Sequence, residues 1–280
     1  MKVARYLMCR PSYFGVSYVI NPWMENQIGQ SDQSVAAQQW DALYRTFTET
    51  IGVEVALISP VDGLPDMVFT ANAGLVEGNQ FVPSRFMHAE RRGEEAHFIE
   101  WFSAHGYEVT DIPGYQEGAG DMLNWTSPTG DSTLVCASGF RSDFDSAERV
   151  SSVVHCPTLA VELVDPRFYH LDTCFCPLPG GHVIWFPAAF SETSQAAIRR
   201  LIPADLRFEV QAEDAVRFCC NAVGLMHSAK RHIVMGHVGD DARAWLEGNE
   251  FSVHVRPLTE FLKAGGSAKC LTLRLDSGLV

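Results

Sequence analysis

Apolar positions gather in short runs from one end of the chain to the other. They read VARYLMC (3–9), VEVALIS (53–59), MVFTANAGLV (67–76), QFVPS (80–84), YEVTDI (107–112), STLVCAS (132–138), LAVELV (159–164), CFCPL (174–178), HVIWF (182–186), RHIVMG (231–236), FSVHVRPL (251–258) and CLTLRL (270–275). Their length and β-branched content predict strands. Helical spacing appears in 34–52 and in 92–105, where Gly106 supplies a left-handed stop. Shorter helices are predicted over 192–202 and over 258–263, the latter ended by Gly265 and Gly266. Strands outnumber helices, and they do not alternate regularly with helices as in a doubly wound sheet. With no linker, low-complexity tract or sequence repeat, residues 1–280 read as one α/β catalytic domain.

Composition narrows the function. A net charge of −13 opposes phosphate neutralisation and so excludes a nucleic-acid binder. It suits a small cationic substrate, which an acidic field attracts. The N-terminal apolar run is too short for a signal sequence, and no stretch approaches a membrane span, so a cytoplasmic protein without membrane partners is expected. There the eight cysteines are expected to be reduced, and most to serve as small core residues. Nothing in the sequence specifies an oligomeric state.

Four stretches carry candidate chemistry. KAGGSAKCLTLRL (263–275) sets Cys270 behind small residues that leave room for a ligand. In DPRFYHLDTCFCPL (165–178), His170 and Asp172 would share a face of an extended strand, as acid/base and cation anchor. EGAGDML (117–123) offers Glu117 to orient that histidine. GLPDMVFTANAGL (63–75) contains Asp66 and Asn72, an asparagine that needs partners if buried. Asn21 in INPWM is first a turn residue. Arg91 and Arg92 in HAERRGEE and Arg141 in GFRSDFD are surface charges or carboxylate clamps. The polar stretch 27–35 is a candidate lid. Cys174 and Cys176 lack the second matched pair that zinc sites use, and Cys219 and Cys220 would lie on opposite sides of a strand, so no metal is expected. Without a G-x-S-x-G elbow, a P-loop or a dinucleotide fingerprint, a Cys/His/carboxylate hydrolase or transferase remains.

Taken together, INPWM, LPDMVFTANAGL, ERRGEE, EGAGD, GFRSDFD, DPRFYHLDTCFCPLPGG, CNAV and TEFLKAGGSAKCLTLRL resemble the guanidino-group-modifying superfamily, and most of all its arginine dihydrolase branch. The resemblance implies a five-bladed α/β propeller (pentein) of ββαβ modules with a central active site. It implies Cys270 as nucleophile, His170 as general acid/base and Glu117 as its carboxylate. It places Asp172 on the guanidinium, Asn21 and Asn72 at the substrate head, and Arg91 and Arg141 on the amino-acid carboxylate. L-arginine or a derivative would be the small-molecule substrate, with no cofactor required. Sister enzymes carry aspartate where this chain has Asn72. Asparagine both accepts and donates, which fits a site that holds citrulline and processes it again to ornithine, carbon dioxide and a second ammonia. Dimethylarginine dimethylaminohydrolase, arginine deiminase, a less favoured amidinotransferase and a non-catalytic arginine sensor are the alternatives.

Overall fold

Five three-stranded sheets, each built to one plan, hold all the strands of the computed structural model, which describes residues 4–154 and 156–276. In each, an inner strand runs antiparallel to a middle strand, and the middle strand runs parallel to an outer one across a helical connection. The second blade joins β3 (Gly74–Glu77), β4 (Gln80–Pro83) and β5 (Glu108–Val109) through the helix Glu94–Ala104. The third joins β6 (Met122–Thr126), β7 (Ser132–Ser138) and β8 (Thr158–Glu162) through Ser146–Val154. The fourth joins β9 (Phe175–Pro177), β10 (Val183–Trp185) and β11 (Arg207–Glu209) through Glu192–Leu201. The fifth joins β12 (Val223–His227), β13 (Lys230–Met235) and β14 (Phe251–Val255) through Asp240–Gly248.

The first blade is assembled from both ends. Its middle strand β1 (Arg5–Cys9) runs parallel to β2 (Glu54–Ile58) across the helix Gln33–Arg45, and its inner strand is the late β15 (Leu273–Arg274). These are the ββαβ modules of a five-bladed α/β propeller. Apolar side chains fill the space between neighbouring blades, as Leu7, Val76, Phe81, Phe98 and Leu273 do between the first and second.

Local chemistry fixes the elements. Asp32 caps the first helix by accepting from Ser34 N (2.9 Å) and Val35 N (3.0 Å). That helix buries Ala36, Trp40 and Leu43, widens into a π-turn over Thr46–Ile51, and stops at Gly52 with φ 91°. A two-residue turn joins β12 to β13 with Ser228 and Ala229 both in the left-handed region (φ 48° and 61°), which matches the twist of a hairpin at a cost for residues with a Cβ.

Several expectations change here. Only the last part of 67–76 is strand, because two 3-10 turns, Pro65–Val68 and Thr70–Ala73, precede β3. His170 and Asp172 do not share an extended face: His170 opens the 3-10 turn Leu171–Thr173. Cys219 and Cys220 lie in a turn, both buried, and Cys270 precedes its strand rather than sitting in it. The helices Ser146–Val154 and Asp240–Gly248 and the strands β6, β11 and β12 lie outside the sequence expectations. What emerges is a structural repeat without a sequence repeat: every inner strand is preceded by a tight turn at the propeller's centre. Among the described residues, no helix is long and apolar enough to cross a membrane.

Candidate active site

Each central turn brings a different side chain to one place. The turn before β3 supplies Asn72, that before β6 Glu117, that before β9 His170 and Asp172, that before β12 Asn221, and that before β15 Cys270. All six are buried. Small residues permit the crowding. A Cβ on Gly118, which has φ 54°, would overlap the backbone of Gly74, and one on Gly266 would overlap the ring of Phe69. The glycines before Cys270 therefore serve close packing rather than a loose approach.

Asn221, absent from the sequence expectations, holds Cys270 in place. Its Oδ1 accepts from the backbone N–H of Ser267 (3.1 Å), Lys269 (3.1 Å) and Cys270 (3.2 Å). Its Nδ2 donates to Cys270 Sγ (3.0 Å) and to Asp172 O (3.0 Å). Cys270 Sγ lies 3.5 Å from Asp172 Oδ2. Burial pushes the thiol's pKa well up, and the Asp172 carboxylate pushes it further. Burial likewise raises Asp172 to about 6, against the pull of the Lys269 ammonium. The empty site thus disfavours a thiolate, and an arriving cation would relieve that by pairing with Asp172.

His170 Nε2 is 2.8 Å from Glu117 Oε2, while its Nδ1 has no hydrogen-bond partner among the described residues and is the nitrogen left for proton transfer. Burial alone would raise Glu117. Arg141 at 3.0 Å, followed by the His170 bond, outweighs it and holds the carboxyl down at about 2. Glu117 is therefore a fixed anion that orients the imidazole. The backbone of the same turn is anchored by Ser142, whose Oγ accepts from Glu117 N (3.2 Å) and donates to Asp121 Oδ2 (2.6 Å).

The remaining predicted residues are present but occupied. Asn21 caps the 3-10 turn Pro22–Met24, accepting from Trp23 N and Met24 N and donating to Ala264 O (3.1 Å). Arg91 donates to both oxygens of Glu94 (2.9 and 2.8 Å), to Asp66 O (3.1 Å) and to Asn72 Oδ1 (2.9 Å). Arg141 grips Glu117 and donates to Ile20 O (2.9 Å). Arg92 lies apart, on Phe86 O and Met87 O. Asp66 lines the cavity; its Oδ1 is buried with no partner among the described residues, while its Oδ2 accepts from Tyr18 Oη (2.9 Å). In the sequence it was marked by its place ahead of a strand-like run and by the LPD motif of the family resemblance.

Asn21, Asp66, Asn72, Arg91 and Arg141 line a cavity of about 10 Å³ together with Ile20, Met24 and Cys270. That is room for about one water. The last residues of the candidate lid 27–35 belong to the helix Gln33–Arg45. A larger cavity of about 120 Å³ lies behind the turns, among Lys269, Tyr6, Asn124 and the inner strands. Among the described residues, no cluster of three or more His, Cys, Asp or Glu is placed to hold a metal. All eight cysteines are free thiols.

A profile described as N,N dimethylarginine dimethylhydrolase, eukaryotic, matches residues 10–276. The chain belongs to the dimethylarginine dimethylaminohydrolase family. Within that family's wider circle it is 44% identical, over 97% of its length, to the bifunctional arginine dihydrolase/ornithine cyclodeaminase AgrE of Nostoc sp.. It is 45% identical over 99% of its length to the corresponding ArgZ of Synechocystis sp.. The chain spans only 38% of each of those proteins. It is 37% identical to the N(G),N(G)-dimethylarginine dimethylaminohydrolase of Mycobacterium tuberculosis, over 98% of this chain and 86% of that one. The N-terminal domain of ArgZ, crystallised as a Cys→Ser variant bound to substrate, superposes with a TM-score of 0.92 at 45% identity, covering 98% of both chains. A dimethylarginine dimethylaminohydrolase adduct with S-methyl-L-thiocitrulline, 18% identical with a TM-score of 0.79, has the same fold.

Proposed function

We propose that this chain is a cysteine hydrolase of free L-arginine, an arginine dihydrolase that yields ornithine, carbon dioxide and two ammonia. The observation that supports it is Asn72, an uncharged amide beside the His170–Glu117 pair, in a chain that matches the substrate-bound ArgZ domain over nearly its whole length. Asp172 and Asp66 present carboxylates to the cationic ends of arginine. Arg141 turns Nη2, which donates to Ile20 O, to the substrate carboxylate while its Nη1 stays on Glu117. Fixing the guanidinium in plane exposes its carbon face to Cys270 Sγ.

As the sulfur attacks that carbon the Cys270 thiol gives up its proton to His170, and His170 Nδ1 passes it to the nitrogen that leaves as ammonia. A water then loses a proton to His170 and adds to the covalent thiouronium, which frees the thiol and leaves citrulline. In the second round Cys270 attacks the ureido carbon and a second ammonia leaves. Hydrolysis of the thioester-like adduct gives a carbamate that loses carbon dioxide to become ornithine. Each round consumes one water.

The test is product analysis from L-arginine with wild type and Cys270→Ser. Ornithine with two ammonia, lost in the variant, supports the reading. Citrulline with one ammonia makes the chain a deiminase. The family profile and the Mycobacterium relative favour the second reading, dimethylarginine hydrolysis; methylamine from methylated arginine, with arginine untouched, would establish it instead.

A further inference from the structure

We infer that the cavity of about 120 Å³ behind the central turns binds a small oxyanion carrying one O–H, of which hydrogencarbonate is the simplest, and that this occupant restrains Cys270 from the rear. The cavity shares no lining residue with the one at Cys270, and the reaction above makes no use of it. Arg274 on its wall is exposed, so a ligand enters from solvent without passing the active site. Its volume admits a few waters or a small ion. Lys269 Nζ donates to Ala119 O (3.1 Å), and among the described residues no carboxylate is in ion-pair contact with it. Burial lowers the pKa of this ammonium, against the pull of Asp172, which acts on it without touching it. Tyr6 is 2% exposed, and its hydroxyl has no hydrogen-bond partner among the described residues. Both groups face one space: the Cys176 thiol on β9 lies within electrostatic reach of each.

The charge and the donors select the occupant. Arg274 is committed to Asp276 through Nε (3.0 Å) and Nη2 (3.1 Å), which leaves Lys269 as the cation to be balanced and calls for a single negative charge. Asn124 Nδ2 donates to Glu77 Oε2 (2.8 Å), and because an ionised carboxylate only accepts, that bond fixes the amide's orientation. Asn124 Oδ1 is then a buried acceptor with no partner among the described residues. Nitrate or acetate would satisfy Lys269 and Tyr6 but leave this oxygen unpaired, whereas hydrogencarbonate satisfies all three. Lys269 immediately precedes Cys270, and its ammonium favours the thiolate. An anion beyond it opposes that field. One charge roughly 10 Å from the sulfur, at an effective dielectric of about 20, lowers the thiolate fraction about 17-fold, and the higher nucleophilicity of the more basic sulfur trims this to about fourfold in rate. On the dihydrolase reading, hydrogencarbonate is also the hydrated form of the carbon dioxide released, so the product would slow its own formation.

The experiment titrates the whole chain with ¹³C-labelled sodium hydrogencarbonate at pH 8 and constant ionic strength, with sodium nitrate as the comparison and no substrate present. Binding is read from the ¹³C line width, and the Cys270 thiol from iodoacetamide labelling by peptide mass spectrometry. Hydrogencarbonate is expected to bind saturably and to slow labelling about fourfold at saturation, and nitrate to bind about tenfold more weakly for want of one buried hydrogen bond. Tyr6→Phe should weaken hydrogencarbonate about tenfold with substrate turnover as in wild type, and Asn124→Leu should bring it down to the level of nitrate. Where one of these variants does not fold, the other carries the test. No saturable binding means that the cavity holds water only, and the inference fails. Equal affinity for nitrate overturns it too, as does labelling that hydrogencarbonate leaves unchanged. Neither readout uses substrate, so the result stands whichever guanidino compound the enzyme turns over.

Discussion

Replacing Asp172 with asparagine should destroy the enzyme and liberate its thiol. Asp172 Oδ2 sits 3.5 Å from Cys270 Sγ. At an effective dielectric of about 20, a carboxylate and a thiolate at that separation repel by about 5 kcal/mol, more than three pKa units. Asp172 titrates at about 6, so it is charged at pH 8 and opposes thiolate formation there. Burial continues to raise the thiol after the substitution, but the like charge is gone. For a shift of about three units the thiolate fraction grows about a thousandfold. The weaker nucleophilicity of the less basic sulfur trims this to a net gain of about 30-fold in alkylation rate. The assay is iodoacetamide labelling at pH 8, read by peptide mass spectrometry at Cys270, with Cys270→Ser as the blank. Arginine turnover is measured in parallel and should be lost with the anchor for the cation. Labelling that stays unchanged or slows in Asp172→Asn would refute the electrostatic account of the resting thiol.

Asn221→Asp keeps the acceptor for three backbone N–H groups but puts an anion against the sulfur; kcat should fall at least about a thousandfold while the melting temperature moves little, checked by calorimetry and turnover. Gly120→Ala drives a methyl into Asn72 Nδ2 and should cut ornithine formation more than about tenfold with the far-UV spectrum unchanged. Glu117 is depressed from 4.5 to about 2 by Arg141 and His170 against burial. Its contribution of about 3 kcal/mol is fully present above pH 4.5, declines as pH falls through the depressed value and is absent below it. Glu117→Gln should flatten that part of the acid-unfolding curve, and an unchanged acid limb would deny the linkage.

The strand-forming runs were legible because β-branched periodicity is local, as at β7, β10 and β14. The residue types at the site were legible too: Cys270, His170, Glu117 and Asp172 stood in motifs and lie together. Their geometry was not. An extended reading of 170–176 paired His170 with Asp172 by parity, yet the 3-10 turn sends His170 to Glu117 and Asp172 to Cys270. Asn221 escaped notice because its five hydrogen bonds span three blades, and no window of sequence contains them. Arg91 and Asn21 also line the cavity, and the protein groups that hold them, Glu94 and the Pro22–Met24 turn, are not visible from residue type alone. Short helices such as Ser146–Val154 form through packing on their sheet rather than through a long apolar stripe.

Protein synthesis delivers Cys270 after every other member of the site. Asn72, Glu117, His170, Asp172 and Asn221 all stand on turns that precede it in the chain. The thiol arrives with the segment whose pairing to β1 seals the ring, through Tyr6 opposite Arg274 and Leu7 opposite Leu273, and Leu275 N reaching Arg5 O at 2.8 Å. The pairing that closes the ring is therefore also the pairing that carries Cys270 to the other central turns.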